Sequence, residues 1–415
     1  MYIFPGYSKY QILENSIKVK SELYESEIII EDEYLKNEFK EIVNLKKINE
    51  IDTELKKTLY ELNIIQDSEE VKSVIDKLNN IVDNHLFLTL MPTENCNFKC
   101  RYCYEDESKS VMSDVTLTHI KNFIKLKSLT SDVINISWFG GEPLLCPNII
   151  DEITLFVNNL CKQRSIKNFY SMTTNGYLLD INTFKRLFSL GLTDFQITID
   201  GWNHDKFRPL KSGNGSLKKI LENIKAISEL PQEYNFSVKI RRNILNNDLD
   251  FSWYDYLYDI LGNDDRFSFL IVKVCDWGGD SVKSLDLLKN KDIIKKHTDY
   301  IQELGLKNEE FNRTIFSDIC FSSFKNGYIF RSNGLIEKCT ICINNPKNIV
   351  GYVDPSKGVV LNTDKCAKWE KRTINDNCLI CDDLLKCLNR CCRKCINIDD
   401  LKEVNCLCKI NGVNI

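Results

Sequence analysis

Three cysteines lie close together in the segment ENCNFKCRYCYE, residues 94–105. Cys96, Cys100 and Cys103 are separated by three and then two residues. Structural zinc sites and thiol redox pairs usually have two-residue gaps and an even number of cysteines. An iron–sulfur cube ordinarily takes four thiolates, so a loop that donates three leaves one iron with an open site for chemistry. A zinc site with a distant fourth ligand and unliganded thiols are the alternatives.

The chain contains 18 cysteines, and they are unevenly distributed. Nine of them lie between Cys366 and Cys408. The N-terminal residues MYIFPGYSKYQ lack a basic region followed by an apolar core, so we expect no export and a reducing cytoplasmic compartment. In such a compartment disulfides are rare and thiolates tend to be metal ligands. Three scattered cysteines are interpreted as buried or incidental thiols: Cys146, Cys161 and Cys275.

The composition is typical of a soluble globular protein. The 415 residues are 43% hydrophobic and 27% charged, and the formal net charge is −4. Lysines and acids are interspersed, which argues against a nucleic-acid or anionic-membrane surface. No uninterrupted apolar run approaches the roughly 20 residues that span a bilayer. We therefore expect a cytoplasmic protein that binds neither nucleic acid nor a membrane.

The middle of the chain alternates strand and helix patterns, which predicts a parallel sheet of the α/β class. Six strands are predicted at 85–90, 133–139, 168–174, 194–200, 235–243 and 266–274. Helices between them are predicted near 114–128, 148–163, 181–189, 216–229 and 250–261. Such a sheet can curl into a partial barrel, and its active site is expected in the loops after the strand C-termini.

The loops after those six strands carry the unusual residues. In chain order they contain the cysteine triplet, GGEP (140–143), TNG (174–176), DG (200–201) with Arg208 downstream, Arg242 with Asn243, and CDWGG (275–279). Because the C-terminal ends of parallel strands meet at one edge, we predict one site on one rim. Asp276 lies on this rim, where a turn role competes with a role as a base.

The flanking segments differ from the middle. Residues 10–30 suggest two or three short strands, and helices are predicted at 31–44, 52–63 and 68–83. Residues 281–315 look helical, whereas 320–415 are rich in cysteine and weakly periodic. The predicted domains are an N-terminal α+β domain at 1–84, an α/β domain at 85–280, a helical linker at 281–319 and a loop-rich, cysteine-dense domain at 320–415.

The Cys-x3-Cys-x2-Cys spacing, with Tyr102 directly before the last cysteine, resembles the motif of the radical S-adenosylmethionine (SAM) superfamily. The resemblance implies a partial (β/α)6 barrel and a 4Fe–4S cluster held by Cys96, Cys100 and Cys103. In that family the amino and carboxylate groups of SAM chelate the open iron. An electron from the cluster cleaves the sulfonium, and the resulting 5′-deoxyadenosyl radical abstracts a hydrogen from the substrate.

The GGEP segment resembles the family motif that hydrogen-bonds the SAM amino group. Two glycines allow a close backbone approach, and Glu142 could accept a hydrogen bond from an ammonium. The resemblance places Thr198, where family members often carry Ser, and Arg208 near the ribose and carboxylate. Asn175 and Asp200 also favour turns with the glycines that follow them, so a turn role stays open. The predicted cofactor-binding set is Gly140, Gly141, Glu142, Pro143, Tyr102, Asn175, Thr198, Asp200 and Arg208.

The C-terminal cysteines resemble the SPASM extension, which holds two auxiliary 4Fe–4S clusters. The first implied ligand set is Cys320, Cys339 and Cys391, completed by Cys342 or left with an open iron. The second implied set is Cys378, Cys381 and Cys387, completed by Cys408 in slight preference to Cys406. Two further cysteines, Cys392 and Cys395, depart from the pattern. A zinc ribbon built from Cys378, Cys381, Cys387 and Cys391 is the alternative.

Enzymes with this pair of domains mostly modify peptides and proteins. The resemblance leaves three reactions open: thioether cross-linking of a ribosomally made peptide, carbon–carbon cross-linking of such a peptide, and oxidation of a cysteine or serine to formylglycine by anaerobic sulfatase maturases. The maturases usually carry their triplet close to the N-terminus and an Asp after a cysteine of the first auxiliary cluster. Here Cys96 lies far along the chain and Thr340 follows Cys339, which favours a peptide cross-linking enzyme, most simply a thioether-forming one.

The resemblance also implies partners. These are a precursor peptide with a leader sequence and an external reductant such as flavodoxin or ferredoxin. Residues 1–84 could recognise the leader by adding it to a sheet edge, and a structural cap is the alternative. An electron-transfer or scaffold protein would need the clusters but neither GGEP nor a SAM pocket.

Overall fold

The computed structural model describes residues 1–105, 110–245, 248–276, 282–285, 287–288, 292–308, 320–343, 345–370, 376–382 and 384–387. The chain divides into two compact units. The first contains Met1–Asp83 with the described residues of Arg313–Lys325 and Ala367–Ile415. The second contains the described residues of Asn84–Asn312 and Asn326–Cys366.

The first unit begins with short antiparallel strands followed by helices. Its strands are β1 (Tyr2–Ile3), β2 (Ser8–Ile12), β3 (Ile17–Ser21), β4 (Glu27–Ile30), β5 (Lys47–Ile48) and β6 (Gln66–Asp67). Its N-terminal helices are α1 (Glu33–Leu45), α2 (Glu54–Glu61) and α3 (Ser68–Asp83). The sheets are β2-β3-β4 and β5-β1-β6. The predicted strands over 10–30 and all three predicted helices are confirmed.

Local signals explain the helix starts in this unit. The Asp32 side chain accepts a hydrogen bond from the backbone N–H of Leu35, and Thr53 caps α2 in the same way. The apolar faces of α1 and α2 pack with β3 and β4 around a core that includes Val19, Ile30, Phe39, Ile42 and Leu59. These residues recur at helical or strand spacing, which is why the sequence predicts the elements correctly.

The N-terminal residues also contact a cysteine-bearing segment within the same unit. Two short helices lie there, Asp376–Leu379 and Leu384–Cys387. The Gly6 N–H donates to the Leu379 carbonyl at 2.8 Å, and Lys9 Nζ donates to the Asp382 carbonyl at 2.6 Å. Lys46 forms an ion pair with the Asp382 carboxylate at 3.2 Å. The segment containing Cys378 and Cys381 therefore depends on residues 1–46 for hydrogen-bond partners.

The second unit is built on parallel strands joined by helices. The strands are β7 (His85–Leu90), β8 (Val133–Trp138), β9 (Lys167–Thr174), β10 (Leu192–Thr198), β11 (Ser237–Ile244) and β12 (Phe267–Lys273). The helices are α4 (Asp114–Lys127), α5 (Pro147–Arg164), α6 (Ile181–Ser189), α7 (His204–Phe207), α8 (Leu217–Ser228), α9 (Ser252–Leu261) and α10 (Asp292–Glu303). The strands lie side by side in chain order, and each pair is parallel. This arrangement confirms the predicted α/β class and the (β/α)6 connectivity.

Four strands extend this sheet beyond β7, and the sequence did not predict them. They are β13 (Gly327–Phe330), β14 (Leu335–Glu337), β15 (Ile349–Asp354) and β16 (Gly358–Leu361). β13 pairs parallel to β7, and the later strands pair antiparallel. Every residue of β13 is buried, so the alternation that reveals a strand is missing. Helix α11 (Thr363–Glu370) follows, and among the described helices none is long and apolar enough to cross a membrane.

His297 makes the stability of the second unit depend on pH. Its buried ring donates through Nε2 to the Asp248 carbonyl at 2.8 Å, so Nδ1 accepts from the Tyr254 hydroxyl at 3.0 Å. Burial, followed by the charge of Arg242, lowers the pKa of His297 from 6.5 to about 4. Between these values the unfolded chain binds more protons than the folded protein, so the stability falls as the pH falls.

We expect His297 to cost about 1.4 kcal/mol of unfolding free energy between about pH 7.5 and pH 5.5. Urea unfolding at both pH values measures this loss. His297→Gln lacks the titrating group and should lose correspondingly less stability over the same interval. An equal loss in the wild type and the variant would contradict the assignment.

Candidate active site

One cavity of about 170 Å³ lies at the C-terminal ends of the six parallel strands. The triplet loop after β7 contributes Cys96, Cys100 and Cys103 to its lining. The other five strand ends contribute Phe139, Gly140 and Gly141; Thr173, Thr174 and Asn175; Gln196, Thr198 and Arg208; Arg241 and Asn243; and Lys273, Val274 and Cys275. All six strands therefore supply residues to a single site, as the parallel topology requires.

Backbone hydrogen bonds hold the triplet loop in place. The Lys99 N–H donates to the Pro209 carbonyl and the Arg101 N–H to the Phe207 carbonyl, both at 2.8 Å. The Phe98 N–H donates to Cys96 Sγ at 3.3 Å. The three thiols form no disulfide and are partly buried. These backbone hydrogen bonds anchor the loop between its cysteines. All three cysteines line the cavity, and no disulfide joins them.

The GGEP segment packs backbone to backbone against the triplet loop. The Gly141 N–H donates to the Thr93 carbonyl at 3.2 Å, and the Glu142 N–H donates to the Asn95 carbonyl at 3.0 Å. A Cβ on Gly140 would lie 2.5 Å from the Thr93 oxygen, and one on Gly141 would lie 2.2 Å from the Asn95 oxygen. The close approach that two glycines allow is therefore made to the chain's own loop.

We expect Gly141→Ala to displace the triplet loop, because the added methyl overlaps a backbone oxygen that cannot rotate away. The SAM cleavage that the motif predicts should fall at least about tenfold, since small displacements of reacting groups have large effects on rate. The measurement is 5′-deoxyadenosine formation, with thermal stability and iron content recorded in parallel. Wild-type cleavage in a folded Gly141→Ala protein would contradict the requirement for a Cβ-free position.

Glu142 links the GGEP segment to the loop after β9. Its fully buried carboxylate accepts from the Leu144 N–H at 3.1 Å, the Thr174 hydroxyl at 2.8 Å and the Asn175 N–H at 2.8 Å. Burial raises the pKa of Glu142, and these hydrogen bonds oppose that shift. A carboxylate has about four acceptor positions, so one remains for a ligand donor. Pro143, also buried, begins a short 3₁₀ helix beside it.

Asn175 has the turn role that the sequence left open, and its contact with a cofactor stays a prediction. Its Oδ1 accepts from the Tyr177 N–H at 3.0 Å, which is an Asx turn. Its Nδ2 donates to Asn97 Oδ1 at 2.8 Å and lies 3.9 Å from Cys96 Sγ. The side chain therefore shapes the turn after β9 and also contacts the triplet loop.

Tyr102 connects the triplet loop to the loops after β10 and β11. Its hydroxyl donates to Asp200 Oδ2 and accepts from Arg208 Nη1 at 3.2 Å and Asn243 Nδ2 at 2.9 Å. The Asn243 N–H donates to Asp200 Oδ1 at 3.1 Å. Burial raises the pKa of Asp200, with the charge of Arg208 acting against it. Arg208 is 9% exposed, and its Nε has no partner among the described residues, which suits a donor to a ligand oxygen.

Sequence reasoning missed several cavity residues. Arg241 lines the cavity because it lies two positions before Asn243 on the same face of β11. Arg242 points to the other face, where it pairs with Asp248 at 2.9 Å and stacks on Tyr254. Strand periodicity could have found this alternation. Cys275 also lines the cavity, although its isolation suggested an incidental thiol.

Glu105 is a further missed residue, two positions after the triplet. It lines the cavity, and its buried Oε2 has no partner within the described ranges. Burial, followed by the charge of Glu94, raises its pKa to about 7, while Arg331 acts in the opposite direction. Asp276, by contrast, is exposed and is not among the described residues that line the cavity.

The cysteines assigned to auxiliary clusters are distributed over both units. Cys339 and Cys342 follow β14 in the second unit. Cys320, Cys378 and Cys381 belong to the first unit, and for Cys387 only the backbone is described. The remaining predicted ligands lie outside the described residues: Cys391, Cys406 and Cys408, as do Cys392 and Cys395. Both auxiliary ligand sets therefore remain predictions.

The triplet fits an iron–sulfur cluster by its donor chemistry. Burial raises the pKa of Cys96 and of Cys103 to about 12, so both are protonated thiols until a metal displaces the proton. Within the described parts of the chain, no three His, Cys, Asp or Glu side chains converge closely enough to hold one metal ion. A 4Fe–4S cluster binds one thiolate per iron, so its ligands need not converge on one point.

Comparisons with known proteins agree with this geometry. Residues 90–243 match the model of the Radical SAM superfamily. A protein of Methanocaldococcus jannaschii without assigned function is 29% identical over 57% of this chain and 72% of its own. The GTP 3′,8-cyclase of Clostridium botulinum is 27% identical over 52% of this chain and 65% of its own length. The structure of anSMEcpe with bound AdoMet and the Cp18Cys peptide aligns with a TM-score of 0.54 and 16% identity, covering 73% of this chain and 88% of that one.

Proposed function

We propose that this chain, whose residues 90–243 match the model of the Radical SAM superfamily, is a peptide maturase that cross-links a ribosomally made precursor. The observation that carries the proposal is a cavity lined by three thiols and by Arg208, whose Nε has no hydrogen-bond partner among the described residues. A cluster bound by these thiols would supply one electron to cleave SAM into methionine and a 5′-deoxyadenosyl radical. In this proposal Arg208 binds a carboxylate of the ligand, and it is supported by the Tyr102 hydroxyl, which is itself hydrogen-bonded to Asp200 and Asn243.

Two observations support a peptide as the substrate class. A protein of the same fold has been solved with AdoMet and a peptide bound together. The β2-β3-β4 sheet of the first unit, in its described part, also leaves the outer edge of β4 without a neighbouring strand. Ile29 on that strand is 53% exposed, and Tyr34 just beyond it is 74% exposed. An edge strand with exposed apolar side chains is suited to adding a peptide strand.

The proposed bond is a thioether between a cysteine sulfur and a carbon of the precursor. Support comes from the position of Cys96 far along the chain and from Thr340, where sulfatase maturases carry an Asp. Mass spectrometry of a precursor incubated with iron-replete protein, SAM and dithionite tests the proposal. Loss of two hydrogens with one thiol protected from iodoacetamide is expected. Loss of two hydrogens with all thiols free would indicate a carbon–carbon link, and conversion of a thiol to an aldehyde would indicate formylglycine.

We further propose two auxiliary clusters, held by the C-terminal cysteines, and a leader-binding role for the first unit. Deleting residues 1–84 would not test that role cleanly, because Gly6, Lys9 and Lys46 support the Leu379–Asp382 segment. A point substitution at the sheet edge avoids this problem. It leaves those supporting contacts unchanged.

We expect Ile29→Lys to weaken precursor binding about tenfold, because a lysine on an edge strand opposes strand addition. Fluorescence anisotropy with a labelled leader peptide measures the affinity. Ile12→Lys is the matched control, since Ile12 is 65% exposed on β2 at the opposite edge of the same sheet. Uncoupled SAM cleavage should be the same in both variants. Wild-type affinity in both variants would favour the structural-cap role, whereas a loss confined to Ile12→Lys would move the leader-binding edge to β2.

A further inference from the structure

A chain of buried polar side chains leads away from the cavity to the loop that carries Cys339 and Cys342. It begins where β7 pairs with β13, with Leu90 opposite Phe330. Just beyond this pair, Arg331 Nε donates to Glu94 Oε1 at 2.8 Å. Glu94 lines the cavity and lies two positions before Cys96. This network of hydrogen-bonded side chains therefore starts at the base of the triplet loop.

Arg331 continues the connection on its other side. Its Nη1 donates to Glu337 Oε1 at 3.2 Å, at the end of β14. Arg331 and Glu94 are 3% and 4% exposed, and Glu337 is fully buried. One guanidinium thus bridges two buried carboxylates, one in the loop after β7 and one at the end of β14.

Asn348 extends the hydrogen-bonded network to the loop that contains Cys339 and Cys342. Its Nδ2 donates to Glu337 Oε2 at 3.1 Å, to the Cys339 carbonyl at 2.8 Å and to the Cys342 carbonyl at 3.0 Å. Its Oδ1 accepts from the Cys339 N–H at 2.9 Å. The side chain, 1% exposed, therefore fixes the backbone on both sides of the loop.

A contribution to folding stability does not by itself explain why these charged side chains are buried together. A buried ion triad has a large desolvation penalty, and well-packed apolar residues of similar volume often replace such groups without loss of stability. The neighbouring strands are already joined by backbone hydrogen bonds and by apolar residues such as Ile329 and Ile336. What the polar chain adds is a fixed geometry, because the planar guanidinium donates in set directions.

We propose that Arg331 is a positioning residue that holds the triplet loop and the Cys339–Cys342 loop in a fixed mutual arrangement. This rests on the proposed function, in which cysteines of the two loops hold separate clusters that must act on one substrate. Arg331 touches neither substrate nor cofactor in this account. It acts through Glu94 on one side and through Glu337 and Asn348 on the other.

The test compares Arg331→Met and Arg331→Lys with the wild type in iron-replete, full-length protein. Arg266→Lys is the matched control: Arg266 is also buried and paired, with Asp264 at 2.6 Å, but it precedes β12 at the end of the sheet away from the cavity. Hydrogen–deuterium exchange is followed at residues 92–105 and 335–343 and, as an internal reference, in α5. Product formed per 5′-deoxyadenosine is measured on the same samples.

In Arg331→Met, we expect exchange to rise about tenfold in both cysteine loops and stay unchanged in α5, with product per 5′-deoxyadenosine falling about tenfold. Arg331→Lys keeps the positive charge but loses the planar guanidinium that donates to both carboxylates. Hydrogen–deuterium exchange in both loops should therefore rise to a level between the wild type and Arg331→Met. Arg266→Lys should change neither loop nor the product ratio. Wild-type exchange in both loops of Arg331→Met, or an equal loss of product ratio in Arg266→Lys, would overturn the proposal.

Two outcomes separate this inference from the proposed function. If the wild type cleaves no SAM, the proposed function fails, while the exchange measurement still decides whether Arg331 holds the two loops. If Arg331→Met does not fold, Glu337→Gln replaces it, because this change keeps the shape and removes one charge from the triad. Unchanged exchange in both loops of a folded Glu337→Gln protein would then overturn the positioning role.

Discussion

Replacing Cys96, Cys100 and Cys103 together by Ser is expected to reduce 5′-deoxyadenosine formation to background, a loss of at least about a thousandfold. A hydroxyl of similar volume does not provide the thiolate that iron–sulfur clusters require. The fold should survive, because the loop is anchored by the backbone bonds of Lys99 and Arg101. Chromatography of the nucleoside product, with iron determination on the same samples, measures the effect.

Iron content makes this expectation quantitative. The wild type should bind about twelve irons if three clusters form, and the triple variant should lose about four of them. Cys161→Ser is the control, because Cys161 is buried in α5 and does not line the cavity. Measurable 5′-deoxyadenosine from the triple variant, with contaminating activity excluded, would contradict the assignment. Wild-type iron near four per chain would contradict the auxiliary clusters.

Replacing Cys339 by Ala is expected to separate two activities. SAM cleavage should continue, because every residue of the cavity is retained, whereas the cross-linked product should fall at least about a hundredfold. Forming the bond requires an electron to leave the substrate radical, and the cysteines outside the cavity are the proposed site for its acceptor. The ratio of product to 5′-deoxyadenosine, taken from one reaction, measures the separation.

Misfolding would imitate this result, because metal ligation can hold a loop-rich segment together. Cys366→Ala is the matched control: Cys366 is 7% exposed in the same unit and belongs to neither predicted ligand set. It should keep the wild-type ratio. Full cross-linking by a folded Cys339→Ala protein would contradict the role given to the auxiliary clusters.

The sequence predicts the six parallel strands well, and the reason is visible in the residues. Each strand alternates or is apolar over much of its length, and two crossover helices begin at a side-chain cap, Ser113 before α4 and Asp180 before α6. Once the strands are placed, topology brings the six following loops to one edge. The cavity residues Gly141, Asn175 and Arg208 could therefore be predicted together although they are distant in sequence.

The remaining features depend on packing that sequence patterns do not record. β13 is short and wholly buried, so no periodicity marks it, and its pairing with β7 joins residues far apart in the chain. The ion pair between Arg331 and Glu94 spans 237 positions. The motif GGEP also does not reveal what its two glycines approach. In the structure they lie against the carbonyls of Thr93 and Asn95.

The central claim is that a radical formed in this cavity removes a hydrogen from a peptide. The most direct test uses a precursor peptide deuterated at its carbon-bound positions and follows deuterium into 5′-deoxyadenosine by mass spectrometry. We predict one deuterium in the 5′-deoxyadenosine formed in each cross-linking turnover, with none transferred from heavy water when the peptide is unlabelled. Cross-linked peptide accompanied by unlabelled 5′-deoxyadenosine would contradict the account.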